Sequence, residues 1–293
     1  MIFLAGGTGH LGRQVAPLLI ARGLSVRVLT RDPDKTTPRM IGVELVRGDV
    51  RDAVSLKAAM VGVDTVVSAV TGFGPGGGGP RAIDQEGNRN LIRAAEAAGA
   101  TRYVLVSMHG AGPDHPLELL RMKHRAEEIL RESRLEWTII RPTVFMELWI
   151  RIVCGPILKT GKARVFGRGT NPINFISVSD LARFIELAVM TPEFRRCALN
   201  VGGPENPTLN EVVQIFSTIV GRAASVSHVP LPAMRLAALV MRAVRPDLAR
   251  MIEAGAQMDT ANMIFDASEL RQRYPAIALT SLAEVVRRDF RSA

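Results

Sequence analysis

The opening run MIFLAGGTGHLGRQVAPLLIARG constrains this chain more than any other stretch. An apolar segment of strand length enters a glycine turn and leaves as an amphipathic helix. Gly6, Gly9 and Gly12 are spaced GxxGxxG. The first glycine permits a tight turn, the second lets backbone approach a pyrophosphate, and the third lets helix and strand pack closely. The N–H groups at the helix start then face phosphates, helped by the helix dipole. With a strand before and a helix after, the turn reads as a dinucleotide cradle. Its cofactor-binding residues are Gly6, Thr8, Gly9, His10, Leu11 and Gly12.

Strands and helices then alternate: strands at 25–29, 43–47, 64–70, 102–107 and 137–140, helices at 83–98 and 117–132. The strand at 64–70 reads as largely apolar, as one buried on both faces should be. This alternation predicts an α/β fold, a doubly wound parallel (Rossmann) sheet with right-handed crossovers. Residues 1–142 are expected to form the dinucleotide-binding core, and residues 143–293 to complete the core and form a small C-terminal α/β substrate lobe.

The second strand ends in Thr30-Arg31-Asp32. An NAD-selective site wants a carboxylate there, to accept from the adenosine ribose hydroxyls. Thr30 stands at that position and Arg31 follows, with Arg13 and Lys35 expected nearby. A guanidinium favours the 2′-phosphate, so NADP(H) is the expected cofactor; the alternative for Arg31 is a solvated surface residue. Asp32 is expected to cap the next segment. After the third strand, Asp49 is placed to accept from the adenine amino group, with Val50 packed on the ring. The competing role for Asp49 is a helix N-cap, which suits Asp52 better. The run Thr71-Gly72-Phe73-Gly74-Pro75-Gly76-Gly77-Gly78-Gly79-Pro80 lacks large side chains beyond Phe73 and cannot hold one conformation by itself. It reads either as a flap over the ligand or as a plain flexible connection.

Composition narrows the function classes. Only Cys154 and Cys197 occur, without His or Cys companions, so zinc, iron–sulfur and CxxC redox chemistry lack their ligands and no metal is expected. Thirty-seven Lys+Arg against 28 Asp+Glu give +9, but no run of five basic residues occurs, so no nucleic-acid partner is expected. The first residues already read as a strand rather than a signal peptide. No apolar stretch approaches the roughly 20 residues that span a bilayer. The expected location is the cytoplasm.

Four stretches, GGTGHLG, GDVRD, KHRAEEILRESRLEWTIIRP and NFISVSDLARFIELAV, resemble the atypical short-chain dehydrogenases, in particular their NmrA-like branch. LNVGGPENPTLNEVVQIF is also similar to the group holding the accessory nucleotide-binding subunit of respiratory complex I, with photosystem assembly proteins as neighbours. The resemblance runs to about residue 230. It implies a Rossmann domain, a small C-terminal substrate lobe and NADP(H), in a group mixing reductases, redox sensors and assembly factors. Carried over, Ser107 matches the serine that holds a substrate carbonyl, and Lys123 the lysine that binds the nicotinamide ribose hydroxyls. The tyrosine expected four residues before that lysine is Leu119, so the usual proton donor is missing. Lys123 could serve as the acid, as in the isoflavone-reductase-like relatives this branch resembles. His109 is a second candidate, and a binder without turnover needs neither.

Phe145 and Met146 are expected at the edge of a substrate pocket; the run they open could equally be core or the contact of a homodimer. No acidic or arginine pair in this lobe points to a charged substrate, which favours an apolar carbonyl, enone or quinone. Asp180 is read as the N-cap of a helix starting at Leu181. Residues 233–245, opening on Ala233, read as a helix with Arg235, Arg242 and Arg245 on one side; it either packs on the core or meets an anionic membrane or a protein partner. The leading expectation is an NADPH-dependent reductase, and the competing one a non-catalytic NADP(H) sensor or assembly factor.

Overall fold

The computed structural model describes residues 1–34, 40–74 and 76–290; Lys35 and Pro75 lie outside the described residues. In chain order the elements are β1 (Ile2–Ala5), α1 (Gly12–Ala21), β2 (Val26–Thr30), β3 (Val43–Arg47), α2 (Ala53–Ala59) and β4 (Thr65–Ser68). A π-helical segment, Arg81–Gly87, runs into α3 (Asn88–Ala97), followed by β5 (Arg102–Val106), α4 (Glu118–Glu132), β6 (Glu136–Pro142), β7 (Val144–Phe145), α5 (Met146–Val153) and α6 (Gly155–Thr160). The rest is β8 (Lys162–Phe166), β9 (Phe175–Ile176), α7 (Val178–Met190), β10 (Cys197–Val201), α8 (Leu209–Val220), β11 (Ser225–Val229), α9 (Leu231–Val244), α10 (Pro246–Thr260), α11 (Ser268–Arg273) and α12 (Leu282–Phe290).

β1, β4 and β5 are buried at every position; β1 is accordingly apolar throughout, and β4 and β5 carry apolar centres rather than an alternating pattern. The central sheet has the order β10-β6-β5-β4-β1-β2-β3. Strands β3 to β6 pair in parallel, with Ala5 of β1 level with Leu29 of β2 and Ser68 of β4. The order reverses at β1, whose two neighbours come from opposite halves of the winding. That reversal opens the crevice at the strands' carboxyl ends where such sheets take ligands.

Two compact units divide the chain. The first holds residues 1–141 and 181–200, the second 142–180 and 201–293. The first unit's core includes Phe3, Leu56, Met60, Leu91, Tyr103 and Leu130. In the second, β8 pairs in parallel with β11 and β7 with β9. Asp180 is not the cap of its helix. α7 begins at Val178, where the N–H of Val178 donates to Glu147 at 3.0 Å. Asp180, already inside the first turn, is buried and accepts from the N–H and hydroxyl of Thr280 at 2.6 and 2.7 Å. A carboxylate from α5 thus does the capping, a long-range contact that the local pattern could not reveal. Asp52 is the N-cap of α2, accepting from the N–H of Val54 at 3.0 Å. No helix among the described residues is long and apolar enough to cross a membrane.

The first turn makes a strict steric demand. Gly6 has φ +82°, and a Cβ there would stand 2.5 Å from the carbonyl oxygen of Ala69. A Cβ on Gly12 would stand 2.3 Å from Cα of Gly7 and 2.4 Å from the carbonyl oxygen of Gly6. Both neighbours of Gly12 are backbone and cannot rotate aside, so Gly12→Ala must push the start of α1 away from the Gly6-Gly7 turn. We expect a loss of about 1–3 kcal/mol in urea unfolding, together with weakened cofactor binding. An unchanged unfolding midpoint would show that the turn has slack.

Candidate functional site

A cavity of about 520 Å³ lies at the carboxyl ends of β1, β2, β3 and β4. Gly6, Thr8 and Gly9 form one wall; Thr30, Arg31 and Asp32 leave β2 into it; Asp49, Val50 and Arg51 follow β3; Ala69, Val70 and Thr71 follow β4. Gly9 is open on its outer side, where a Cβ would meet only the carbonyl oxygen of Gly6 at 3.3 Å. Backbone can therefore come close to a ligand there. Leu11 and Gly12 are buried and His10 is exposed; none of the three lines the cavity.

Charge in the cavity is uneven. Asp49 is matched by Arg51, whose Nη2 stands 2.5 Å from Oδ2 and whose Nε stands 3.0 Å from Oδ1. This hydrogen-bonded guanidinium holds the Asp49 carboxyl below its ordinary range against the opposing effect of burial, with Arg31 adding to the pull. Asp49 as adenine acceptor therefore competes with an intramolecular partner that the sequence reading did not assign. Arg13 and Arg31 remain on the wall with Asp32, which Arg47 faces at 4.0 Å. Arg13 donates from Nε to the carbonyl of Thr8 at 2.9 Å, which fixes its stem along the glycine turn. Asp32 turns back on its own loop, accepting from the N–H of Asp34 at 3.2 Å.

The glycine-rich run is tethered at its base. The N–H of Gly72 donates to Oδ2 of Asp84 at 2.8 Å, and Gly76, Gly77 and Gly78 line the cavity. Asp84 sits in the π-helical segment, fully buried, with its Oδ1 3.0 Å from Nζ of Lys123. Burial pushes its carboxyl up, with Lys123 opposing. The expected uninterrupted helix at 83–98 begins instead with these wider turns, a feature that recurs near functional sites. Lys123 itself is 4% exposed and also donates to the carbonyls of Val70 at 3.0 Å and Val106 at 2.9 Å. All three oxygens around this ammonium belong to the protein. It joins the ends of β4 and β5 and does not line the cavity.

Ser107 faces inward too. Its hydroxyl donates to Oε1 of Glu127 at 2.6 Å, so that hydrogen is spent on a carboxylate and not on a substrate carbonyl. Glu127 is fully buried and also accepts from Arg141 Nε at 2.8 Å and Arg131 Nη2 at 3.0 Å, with a further short contact to Arg141 Nη2. Burial pushes the Glu127 carboxyl up, but hydrogen bonds from Arg141 and Ser107 and the two arginine charges outweigh it, so its pKa lies below the ordinary range. His109 is half-buried in the turn after β5 and Leu119 is half-buried in α4. In the second unit, Phe145 is half-buried in β7 and Met146 buried at the start of α5. Cys154 is buried and its thiol is pushed up to about 12, which suits an inert packing residue.

Sequence reading missed Asp84, Glu127 and Arg51. A signal existed for the first two, since both occupy positions of their helices that apolar neighbours place inside: Asp84 is in register with Leu91 and Ala95, and Glu127 with Leu120 and Leu130. For Arg51 no comparable signal existed.

Fold and cleft together define a Rossmann-type dinucleotide-binding protein. The chain belongs to the NAD(P)H-binding family, whose sequence pattern matches residues 6–192. It is 30% identical over 235 residues to the photosystem II assembly factor Ycf39 of Synechocystis, a match spanning 80% of this chain and 72% of that protein. It is 32% identical over 238 residues to the (4-alkanoyl-5-oxo-2,5-dihydrofuran-3-yl)methyl phosphate reductase of Streptomyces griseus, spanning 81% of this chain and 80% of the relative. Among solved structures, the NADPH complex of an NADPH-dependent quinone oxidoreductase from Escherichia coli superposes with a TM-score of 0.79 at 22% identity, covering 99% of this chain and 100% of that one, which shows the shared fold.

The low pKa of Glu127 gives a stability prediction. A carboxylate whose folded pKa is depressed stabilises the protein above its unfolded pKa and loses that contribution as pH falls through the folded value. Unfolding stability should therefore drop from about pH 4.5 downward, and Glu127→Gln should flatten this acid limb while lowering stability near neutrality. Urea titrations of both proteins across this window measure it; identical acid limbs would remove Glu127 from the account.

Proposed function

We propose that the protein is an NADPH-dependent reductase of an apolar acceptor whose reduced anion needs no acid from the protein, a quinone before a saturated ketone. The observation that carries this is the inward commitment of Ser107 and Lys123, beside Leu119 where a tyrosine would supply the proton. The residues fit the cofactor: the turn bears open backbone at Gly9 for the pyrophosphate, and Arg13 and Arg31 are placed to meet a 2′-phosphate where Thr30 replaces the acid an NAD site wants. Bound there, NADPH supplies a hydride. The chain's own contribution is to position: Lys123 and Asp84 fix the ends of β4 and β5 and the base of the glycine run, and Val50 gives an apolar wall for a base.

The choice of acceptor follows from proton chemistry. Reduction of a ketone leaves an alkoxide about as basic as hydroxide, with water's pKa near 15.7 as the guide, and this demands an acid within reach. Reduction of a quinone leaves a phenolate, whose conjugate acid resembles tyrosine with a pKa near 10, so solvent can deliver the proton afterwards. The Streptomyces griseus relative is named as a reductase, which supports turnover in this family branch. The Synechocystis relative is named as an assembly factor, and Leu119 is the feature that favours a cofactor-holding assembly role as the second reading.

The deciding experiment follows reduced-nicotinamide absorbance while NADPH or NADH is offered with quinones, enones and ketones. Oxidation with quinones, faster with NADPH, is expected. No oxidation in samples shown to bind NADPH would move the conclusion to the assembly role.

Two sets of variants sharpen it. Arg31→Ala should weaken NADPH binding at least tenfold and NADH binding only slightly in calorimetry, because only the former carries the phosphate. Lys123→Met leaves Asp84 buried without its counter-charge and should cost about 3–5 kcal/mol in urea unfolding. Ser107→Ala should keep kcat within a few-fold. A drop of a hundredfold or more in either Lys123→Met or Ser107→Ala, in protein still folded and binding NADPH, would restore a direct chemical role to that side chain.

A further inference from the structure

We propose that the outward face of α9 is a docking surface for an anionic lipid bilayer. Within its own unit, α9 lies against α10, where Met234 and Ala238 are buried and Cε of Met234 comes within 3.3 Å of where a Cβ on Gly255 would stand. The opposite face is apolar and in solvent. Leu236, Leu239, Val240 and Val244 are 64, 63, 53 and 70% exposed. At about 100° per residue these four fall in one stripe roughly 140° wide along a helix about 21 Å long. Scattered exposed leucines need no explanation, but a contiguous run along one helix marks a contact surface.

Charge selects the occupant. The helix LPAMRLAALVMRAV contains no carboxylate. Arg235 and Arg242, two turns apart, flank the apolar stripe on one edge, and both are exposed. Arg242 meets Glu253 of α10 at 2.7 Å and Arg245, just past the helix, meets Asp247 at 3.3 Å, which leaves Arg235 with the least compensated charge on this face. An apolar stripe with guanidiniums along its edge suits a helix lying in the plane of a bilayer, its leucines below the headgroups and its arginines reaching up to phosphates. A second copy fits less well: antiparallel two-fold stacking of this face would bring the two arginine edges to the same side, with no carboxylate on either helix to receive them. The chain's net charge of +9 acts in the same direction as the local one.

The inference does not depend on the reductase reading, and its test can fail separately. The full chain is sedimented with vesicles of phosphatidylcholine alone and with vesicles containing phosphatidylglycerol, at low and high salt. Binding to the phosphatidylglycerol vesicles is expected, at least tenfold above phosphatidylcholine and weakened by salt. The double variant Leu236→Glu, Leu239→Glu should reduce it at least tenfold, and Arg235→Glu should reduce it several-fold. All substituted side chains are exposed, so circular dichroism and NADPH binding should match the unsubstituted protein and confirm folding. Absence of vesicle binding overturns the proposal, as does binding that ignores these substitutions. A dimer in size-exclusion chromatography that Leu239→Glu disperses, without vesicle binding, also overturns it and assigns the face to a second copy.

Discussion

An ammonium with three protein oxygens around it, sealed beneath the cofactor cleft, organises the first unit. Lys123 reaches from α4 to the carbonyls that end β4 and β5 and to the carboxylate of Asp84. Strand ends at the carboxyl edge of a parallel sheet carry carbonyls without ladder partners, and a buried carbonyl left alone is costly. One cation resolves two of them. Asp84 in turn holds the N–H of Gly72, so the glycine run leaves β4 from a fixed point although its own sequence imposes no conformation. Breaking such a pair by removing one member costs more than the pair contributes, since the survivor stays buried and charged.

The same economy shapes the chemistry. A second buried carboxylate, Glu127, gathers the hydroxyl of Ser107 and the guanidiniums of Arg131 and Arg141, joining α4 to β5 and β6. Beside them, Asn88 accepts from Ser68 at 2.6 Å and from Tyr103 at 3.1 Å. Residue types that could hold a substrate are thus recruited to brace the sheet. Serine and lysine at family positions keep their places in the chain while their polar atoms face inward. A hydrogen donated to one acceptor is not offered to another, so these side chains serve the frame in this arrangement.

Much of this was legible in the sequence and some of it could not be. The glycine turn, the parallel alternation and the arginine after β2 are local facts, fixed by spacings of a few residues, and the cavity forms among them. Asp52 as a cap follows from its own neighbours. Asp180 does not, since its partner Thr280 lies 100 residues on and the true cap, Glu147, arrives from another helix. Asp84, Lys123 and Glu127 fall between these cases. Their helical register placed them among apolar residues, which says that each must find a partner but not which one. The π-helical turns at Arg81–Gly87 belong here too: a carboxylate drawn toward Lys123 and Gly72 accompanies a helix wider than its sequence foretells.

Cofactor binding and proton supply make different demands on a chain. The first demand is met by backbone and by charges at the rim, and survives many changes elsewhere. The second needs one acidic hydrogen aimed at one atom, and a single residue such as Leu119 removes it. Losing that hydrogen does not disable hydride transfer as such; it restricts the acceptor to one whose anion water can protonate. A chain in this condition stands one step from a strict reductase and one step from a protein that only holds its cofactor. On the reading proposed above, an acceptor of low basicity keeps such a chain on the reductase side, because water completes what the missing acid would have done.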